Sequence, residues 1–535
     1  MQRLLCILFI LPCFVFSSLK EMTLEEKVGQ ILMVHFQGEQ ANEDAKTLIQ
    51  KIHVGGIIYY NWANGLYGPE QVLELSSGLQ TLAEKNRLAV PLFIAVDQEG
   101  GLVARLTQGF TIFPGNKALG MTKDPTLAKE CAEAMGEELS AVGVNFNLSP
   151  VVDVNSNPRN PVIGIRSFGD NAEEVAVFGK EALEGYRKAN IITSLKHFPG
   201  HGDVEIDSHQ DLPVIEKSKE QMQKIELLPF SHLAAHADTI MTAHVLVPSI
   251  DPHHCATLSK PLLDILRKEM HFEGVIISDS LVMAGLLKNC PSIDEAAVQA
   301  LNAGCDIILL GGRQLAGNDT CLELTVADIQ RIHQFLVQAV KDGHITETRL
   351  DVAVERILAL KTKYALRAAT PTKEELPLLM RQKEHKVLAE KIAALALKTS
   401  NKEAHVASLT NSKIALFAPQ MLQNTIKETS LLQLSKKMDI LFFTGLSPTQ
   451  EELQQAETIA KEADALIVCS YNAWKNSSQE KLIQILAKTE KELILIALRD
   501  PLDAAICSET AFTITTFSPT APAIEAAYHQ LLKKL

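Results

Sequence analysis

From Leu19 to about Tyr364 the chain alternates short, β-prone apolar runs with stretches of helical pattern, and it does so close to eight times. The runs are Gly55 to Tyr60, Pro91 to Asp97, Asn145 to Val154, Ile192 to Phe198, Thr239 to Val245, Gly274 to Asp279 and Cys305 to Gly311, with Gln30 to His35 as a first member. Between them lie segments of crossover length such as Pro125 to Val142, Ala172 to Lys188, Lys260 to Met270 and Ser292 to Ala303. Strands that alternate with helices form parallel sheets, because a parallel neighbour needs a long return connection. Close to eight such units suit an α/β fold of the (β/α)8 TIM-like barrel type.

The chain is too long for that barrel alone, since its 535 residues exceed the roughly 250 that the architecture needs. A mostly helical, charged stretch from Val352 to Lys398 is broken at Ala369-Thr370-Pro371-Thr372. A second alternation then begins, with Lys413 to Ala418, Asp439 to Gly445, Ala465 to Ser470 and Leu493 to Leu498 as strands and Gln450 to Glu462 and Gln479 to Lys488 as helices. The expected organisation is a barrel over 19–368, a linker and connecting helix over 369–411, and a smaller α/β sandwich domain over 412–535.

Polar residues gather at the C-terminal ends of the barrel runs: Asp97, Asp153, Lys196, His197, His244 and Asp279. In a (β/α)8 barrel those ends converge on one face, where active sites are built. A single Asp after a strand is more often a helix cap or turn residue, so the set carries the inference rather than any member. The densest stretch is Lys196-His197-Phe198-Pro199-Gly200-His201-Gly202-Asp203, which runs on to Asp207-Ser208-His209. An apolar run delivers Lys196 and His197 to its end, and a loop punctuated by proline and glycine carries further His and Asp side chains.

The string K-H-F-P-G-H-G followed by D-S-H resembles the signature of family 3 glycoside hydrolases, and within them the β-N-acetylglucosaminidase branch that trims peptidoglycan fragments. Asp279, closing Val275-Ile276-Ile277-Ser278, is similar to the family's strand-end nucleophile. Retaining hydrolysis needs such a carboxylate and a proton donor beside the leaving oxygen. The resemblance implies His209 as general acid/base with Asp207 orienting it, since a carboxylate on the second ring nitrogen fixes the tautomer. It further implies Asp97 in Asp97-Gln98-Glu99-Gly100-Gly101, Arg105, Arg166 in Gly164-Ile165-Arg166-Ser167-Phe168, Lys196 and His197 as substrate-binding residues. His201 is expected to shape the loop and His244 to line the pocket. The chain departs from the family pattern at Leu102, where a basic residue is common, and at Ser280, where a second Asp is common.

The function so implied is a retaining exo-β-N-acetylglucosaminidase (β-N-acetylhexosaminidase) that releases terminal N-acetylglucosamine from muropeptides, with no cofactor or metal and as a monomer. Three alternatives stay open at this point. They are a β-glucosidase-like member of the family, a metal-dependent barrel hydrolase using residues such as His197, His201, His209, His244, Asp203 and Asp279, and a non-catalytic carbohydrate-binding protein.

Composition narrows the field further. A formal charge of −13 without a clustered basic surface argues against a nucleic-acid partner. Met1-Gln2-Arg3, the apolar run Leu4 to Phe16 and Ser17-Ser18 have the three parts of a secretory signal, so residues 1–18 are expected to be a signal peptide and the protein exported, periplasmic or extracellular. If that leader is not used, the protein stays cytoplasmic. The run is short for a stable membrane span. Of nine cysteines two fall in the leader, and the remaining seven are dispersed and sit largely in apolar runs, which suits buried thiols better than a disulfide framework.

Overall fold

The computed structural model describes residues 19–208, 211–287, 290–313, 323–366, 371–400, 412–507, 509 and 511–533. Residues 1–18, expected from the sequence to be a signal peptide, lie outside these. The described residues divide between two compact units, one within Met1–Glu99, Val103–Phe110 and Ala128–Gln382, the other within Gly100–Leu102, Thr111–Leu127 and Lys383–Leu535.

The first unit is the barrel. Its strands are β1 (Leu32–Val34), β2 (Gly56–Ile58), β3 (Phe93–Val96), β4 (Phe146–Asn147), β5 (Ile192–Phe198), β6 (Thr239–Thr242), β7 (Val275–Ile277) and β8 (Ile308–Leu309). They pair in parallel in the order β7-β6-β5-β4-β3-β2-β1-β8. A parallel bridge between Ile277 and Ile307 joins the two ends of this sheet and closes the ring. These eight strands are buried along their whole length, as expected where helices cover the outside of a parallel sheet and side chains fill its inside. The return helices start where the sequence signals a cap: Asn42 accepts from the Ala45 N–H, Asn171 from that of Glu174 and Ser292 from that of Glu295.

One expected helix is not uniform. The run Lys260 to Met270 is α-helical over Lys260–Asp264 and then π-helical over Ile265–Glu269. The wider turn carries Arg267, which donates to the Phe272 and Gly274 carbonyls, each at 2.7 Å, and to Asp306 Oδ2 at 2.6 Å. Asp306 is fully buried at the N-terminal end of β8 and also meets Arg349 at 2.9 Å and Arg356 at 3.1 Å. Its Oδ2 accepts the Ile276 N–H at 3.0 Å. One carboxylate thus ties the starts of β7 and β8 to the closing helix Glu347–Lys363.

The second unit is an α/β sandwich. Its strands are β9 (Lys398–Thr399), β10 (Lys413–Pro419), β11 (Lys437–Phe443), β12 (Ala465–Ser470), β13 (Glu492–Ala497) and β14 (Phe512–Thr515), in the order β9-β14-β13-β12-β10-β11. All pairs are parallel except β9 with β14. Alternate residues feed two cores. Ile414, Leu416, Ile467, Ile494 and Ile496 pack with Ile524 and Leu531 on one face, and Phe417, Leu466, Val468, Leu493 and Leu495 with Leu453 and Leu482 on the other. This period of two, repeated on adjacent strands, is what a sheet covered on both faces requires. Six cysteines, Cys131, Cys255, Cys290, Cys305, Cys469 and Cys507, are buried. Among the described residues no helix is long and apolar enough to cross a membrane.

Candidate active site

A cavity of ≈ 500 Å³ opens at the C-terminal ends of the barrel strands. Asp97 and Glu99 reach it from the end of β3, Arg166 from a 3-10 turn after β4, Lys196 and His197 from β5, and Asp279 from just beyond β7. Arg105, His201, Ser208 and Ser280 also line it, as do Tyr60, Trp62 and Arg313.

The floor on the β3 to β5 side is an ion cluster. Lys196, whose side chain is 2% exposed, meets Asp97 Oδ1 at 2.8 Å and Glu99 Oε1 at 2.7 Å. Arg166 grips the same Glu99 with Nε at 2.9 Å and Nη2 at 2.7 Å, the bidentate fork that guanidinium and carboxylate geometry favours. Burial alone would raise Glu99, but the charges of Arg166 and Lys196 outweigh it and hold its carboxyl well below the usual carboxylate range. For Lys196 burial works against the charge, and Asp97 and Glu99 more than restore it, leaving the ammonium above its ordinary value.

Next to it, Asp153 is fully buried and accepts from His197 Nδ1 at 2.7 Å. It also accepts the backbone N–H groups of His197 at 3.1 Å and His201 at 2.7 Å. Burial pushes Asp153 up, but these partners, His197 foremost, hold it below its ordinary value. The carboxylate therefore fixes the orientation of the His197 ring. His201 is different. Burial pushes it down to about 4 against the pull of Asp153, so its ring is neutral near pH 7.

The loop after β5 takes its shape from its glycines and a second ion group. Gly200 has φ +124°, and a Cβ there would lie 2.7 Å from the Cβ of Glu226. A Cβ on Gly202 would fall 1.8 Å from the Val154 carbonyl oxygen, so only glycine lets the loop approach that backbone. Lys217 anchors the loop from behind, bridging Glu226 at 2.6 Å and Asp203 at 3.2 Å. Asn160 donates to the carbonyls of His201 and Val204 at 2.8 and 3.0 Å.

Asp279 is half-buried and accepts the Ser280 N–H at 2.7 Å through Oδ1. The hydroxyl of Ser280 donates to the Gly311 carbonyl, which ties this turn to the end of β8. Asp97, Arg105, Arg166, Lys196, His197 and Asp279 thus share one cavity. Asp207 sits half-buried on the loop, and His209 lies outside the described residues. His244, expected to line the pocket, does not. It is fully buried, bonded to Thr257 Oγ1 at 2.9 Å and to the Ser280 carbonyl at 2.8 Å, so it supports the turn that carries Asp279.

Three features of the site go beyond what the sequence pattern marks. Glu99 is the hub of the ion cluster, although the strand-end pattern singles out only Asp97 of its motif. Gln98, buried, accepts the N–H groups of Arg105 and Leu106 at 2.9 and 3.1 Å and so sets where Arg105 sits. Tyr60, Trp62 and Arg313 come from the β2 and β8 ends, where no local motif marks them. Among the described residues no group of three or more His, Cys, Asp or Glu is arranged to hold a metal ion.

A carboxylate at the mouth of a (β/α)8 barrel, facing paired cations and imidazoles able to hydrogen-bond many hydroxyls, is the equipment of a barrel enzyme acting on polar, hydroxyl-rich substrates. The chain belongs to glycosyl hydrolase family 3, whose N-terminal domain model matches residues 23–360. It is 29% identical to beta-hexosaminidase A of Pseudoalteromonas piscicida, over 95% of this chain and 91% of that one. It is 35% identical to a beta-hexosaminidase of Pseudomonas aeruginosa, over 56% of this chain and 86% of the relative. The structure is similar to that of a glycoside hydrolase family 3 beta-N-acetylglucosaminidase from Paenibacillus sp. str. FPU-7, with a TM-score of 0.85, 35% identity and coverage of 96% of this chain and 97% of that one.

Proposed function

We propose that the protein is a retaining exo-β-N-acetylglucosaminidase that removes terminal β-linked N-acetylglucosamine. The observation that carries this reading is the position of Asp279, half-buried in the same cavity as the Asp97, Glu99, Arg166 and Lys196 cluster. Asp279 attacks the anomeric carbon, and the glycosidic C–O bond breaks as His209 passes its proton to the leaving oxygen. A covalent glycosyl ester on Asp279 results. Water then attacks the same carbon, His209 takes the water's proton, and the ester bond opens to regenerate the carboxylate. Asp207 orients His209, while Asp97, Arg105, Arg166, Lys196 and His197 hold the sugar. Two hexosaminidase relatives and the similarity to a β-N-acetylglucosaminidase support the choice of terminal sugar.

Muropeptides, in which N-acetylglucosamine is linked to a muramic acid, are the natural substrate in this reading, met by a monomeric enzyme exported through its leader. The test is release of chromophore from aryl β-glycosides of N-acetylglucosamine and of glucose, by leaderless protein and by its Asp279→Ala variant, with and without chelator. Cleavage of the N-acetylglucosaminide in preference to the glucoside is expected, abolished by the substitution and unchanged by chelator. Failure of folded wild-type protein to cleave either glycoside would sink the reading.

A further inference from the structure

The cavity also holds groups that the reaction at Asp279 leaves unused. Tyr60 and Trp62, from the turn after β2, stack with centroids 5.1 Å apart and planes 19° from parallel. Arg313, just beyond β8, lays its guanidinium carbon 3.9 Å over the Trp62 ring. Glu323 holds one edge of that guanidinium, accepting from Nε at 3.1 Å. The same carboxylate meets His35 Nε2 at 3.3 Å and the amide of Gln37, so it is itself fixed in place. Among the described residues the Nη1 and Nη2 groups of Arg313 have no hydrogen-bond partner.

Exposure rises outward through the cavity, from 2% for the side chain of Lys196 through 17% for Asp97 to 39% for Arg313. In an exo-acting enzyme the terminal sugar takes the inner end, and the leaving group points to the mouth. Arg313 stands on that side with its plane held by an indole and its Nε edge by a carboxylate. What is left is the pair of Nη groups, a fork that matches the two oxygens of a carboxylate. Because the fork is held before substrate arrives, little ordering is lost on binding.

Given exo-hydrolysis at Asp279, on which this assignment rests, we infer that Arg313, positioned by Trp62 and Glu323, reads a carboxylate on the leaving group, so that the enzyme favours an acidic aglycone over a neutral one of the same size. The disaccharide of N-acetylglucosamine and N-acetylmuramic acid differs from N,N′-diacetylchitobiose by one lactyl carboxylate ether, which makes the two a matched pair. Wild-type kcat/KM for the acidic disaccharide should exceed that for the neutral one by about tenfold or more. Arg313→Gln should bring the ratio down by about the same factor, Arg313→Lys by less, and Trp62→Ala should lower it as well because the fork loses its support. A wild-type ratio near one, or a ratio that shifts less than about threefold in well-folded Arg313→Gln and Arg313→Lys, overturns the assignment. Aryl N-acetylglucosaminide measured alongside separates the two failures: if wild type cleaves it and the ratio still does not move, the subsite is wrong while the terminal-sugar reading stands. If wild type does not cleave it, both fall.

Discussion

The barrel contains two buried ion clusters, one at each end of its strands, and they are built in opposite ways. At the N-terminal end one carboxylate, Asp306, faces three guanidiniums, those of Arg267, Arg349 and Arg356. Four of the surplus donor contacts go to main-chain carbonyls, those of Phe272 and Gly274 for Arg267 and of Leu301 and Cys305 for Arg349, whose Nη1 stays buried without a partner among the described residues. At the C-terminal end the charges nearly balance, with Asp97 and Glu99 against Lys196 and Arg166, and Arg105 standing 3.9 Å from Asp97. There the cluster borders a cavity, and part of its hydrogen-bonding capacity faces open space. The same residue types therefore do different work. A cluster whose spare valences end on backbone holds secondary structure together, and one whose spare valences end in a cavity is available to a ligand.

The largest expected effect separates the two ends by stability. Asp306→Asn removes the only carboxylate that, among the described residues, the three arginines share, which leaves largely buried guanidiniums repelling one another. Loss of one partner from a buried ion group costs about 3–5 kcal/mol. Chemical denaturation should show the barrel's midpoint falling accordingly, with kcat/KM at a temperature well below melting kept within about twofold of wild type. A fall in kcat/KM as steep as the loss of stability would mean that the lower cluster is coupled to the site, and the contrast would fail.

The upper cluster should show the reverse. Glu99→Gln keeps the shape but takes one negative charge from between Lys196 and Arg166, while Asp97 remains on Lys196. Lys196 and Arg166, the cations proposed to hold the sugar, would then be released from their fixed positions, and kcat/KM is expected to drop by about a hundredfold, with a rise in KM contributing. Its denaturation midpoint should move less than that of Asp306→Asn. An unfolded variant, or a folded one with unchanged KM and kcat, would show that Glu99 is structural after all.

This division explains what the sequence made legible. Strand ends can be read from local pattern: the apolar runs contain all eight barrel strands, and Asp97, Lys196, His197 and Asp279 come together because each ends or follows one. Partners drawn from different loops cannot be read that way. Glu99 meets Arg166 from 67 positions along the chain, and nothing local to either residue records the pairing. His244 ends its run just as the others do, yet it turns into the core behind Ser280, a choice set by side-chain packing and not by strand position. In the second unit β9 and β14 lie outside the expected strands: β9, two residues long, shows no alternation of its own and is fixed by its antiparallel pairing with β14, itself only four residues long.

The smallest effect concerns acid, because the upper cluster adjoins imidazoles and, among the described residues, none bonds to the lower one. His201 sits at about 4 in the fold, below its unfolded value near ~6.5, since burial favours the neutral ring. Its folded pKa is depressed, so the unfolded chain binds the proton first as pH falls. The stability this site contributes is complete above about pH 6.5, declines from there toward 4 and is flat below, a change of up to about 3 kcal/mol. Asp153 and Glu99 act in a lower window. Their carboxyls are also depressed, so their contribution is present above the ordinary carboxylate range and is lost as pH falls through their folded values. Denaturation of wild type and His201→Asn at pH 7, 5.5 and 4.5 would separate the two, since the variant should lose the decline between 6.5 and 4 while keeping the steeper one beneath it. Parallel curves for the two proteins over the whole range would mean that His201 is protonated in the fold, and that the imidazoles beside the upper cluster do not set its response to acid.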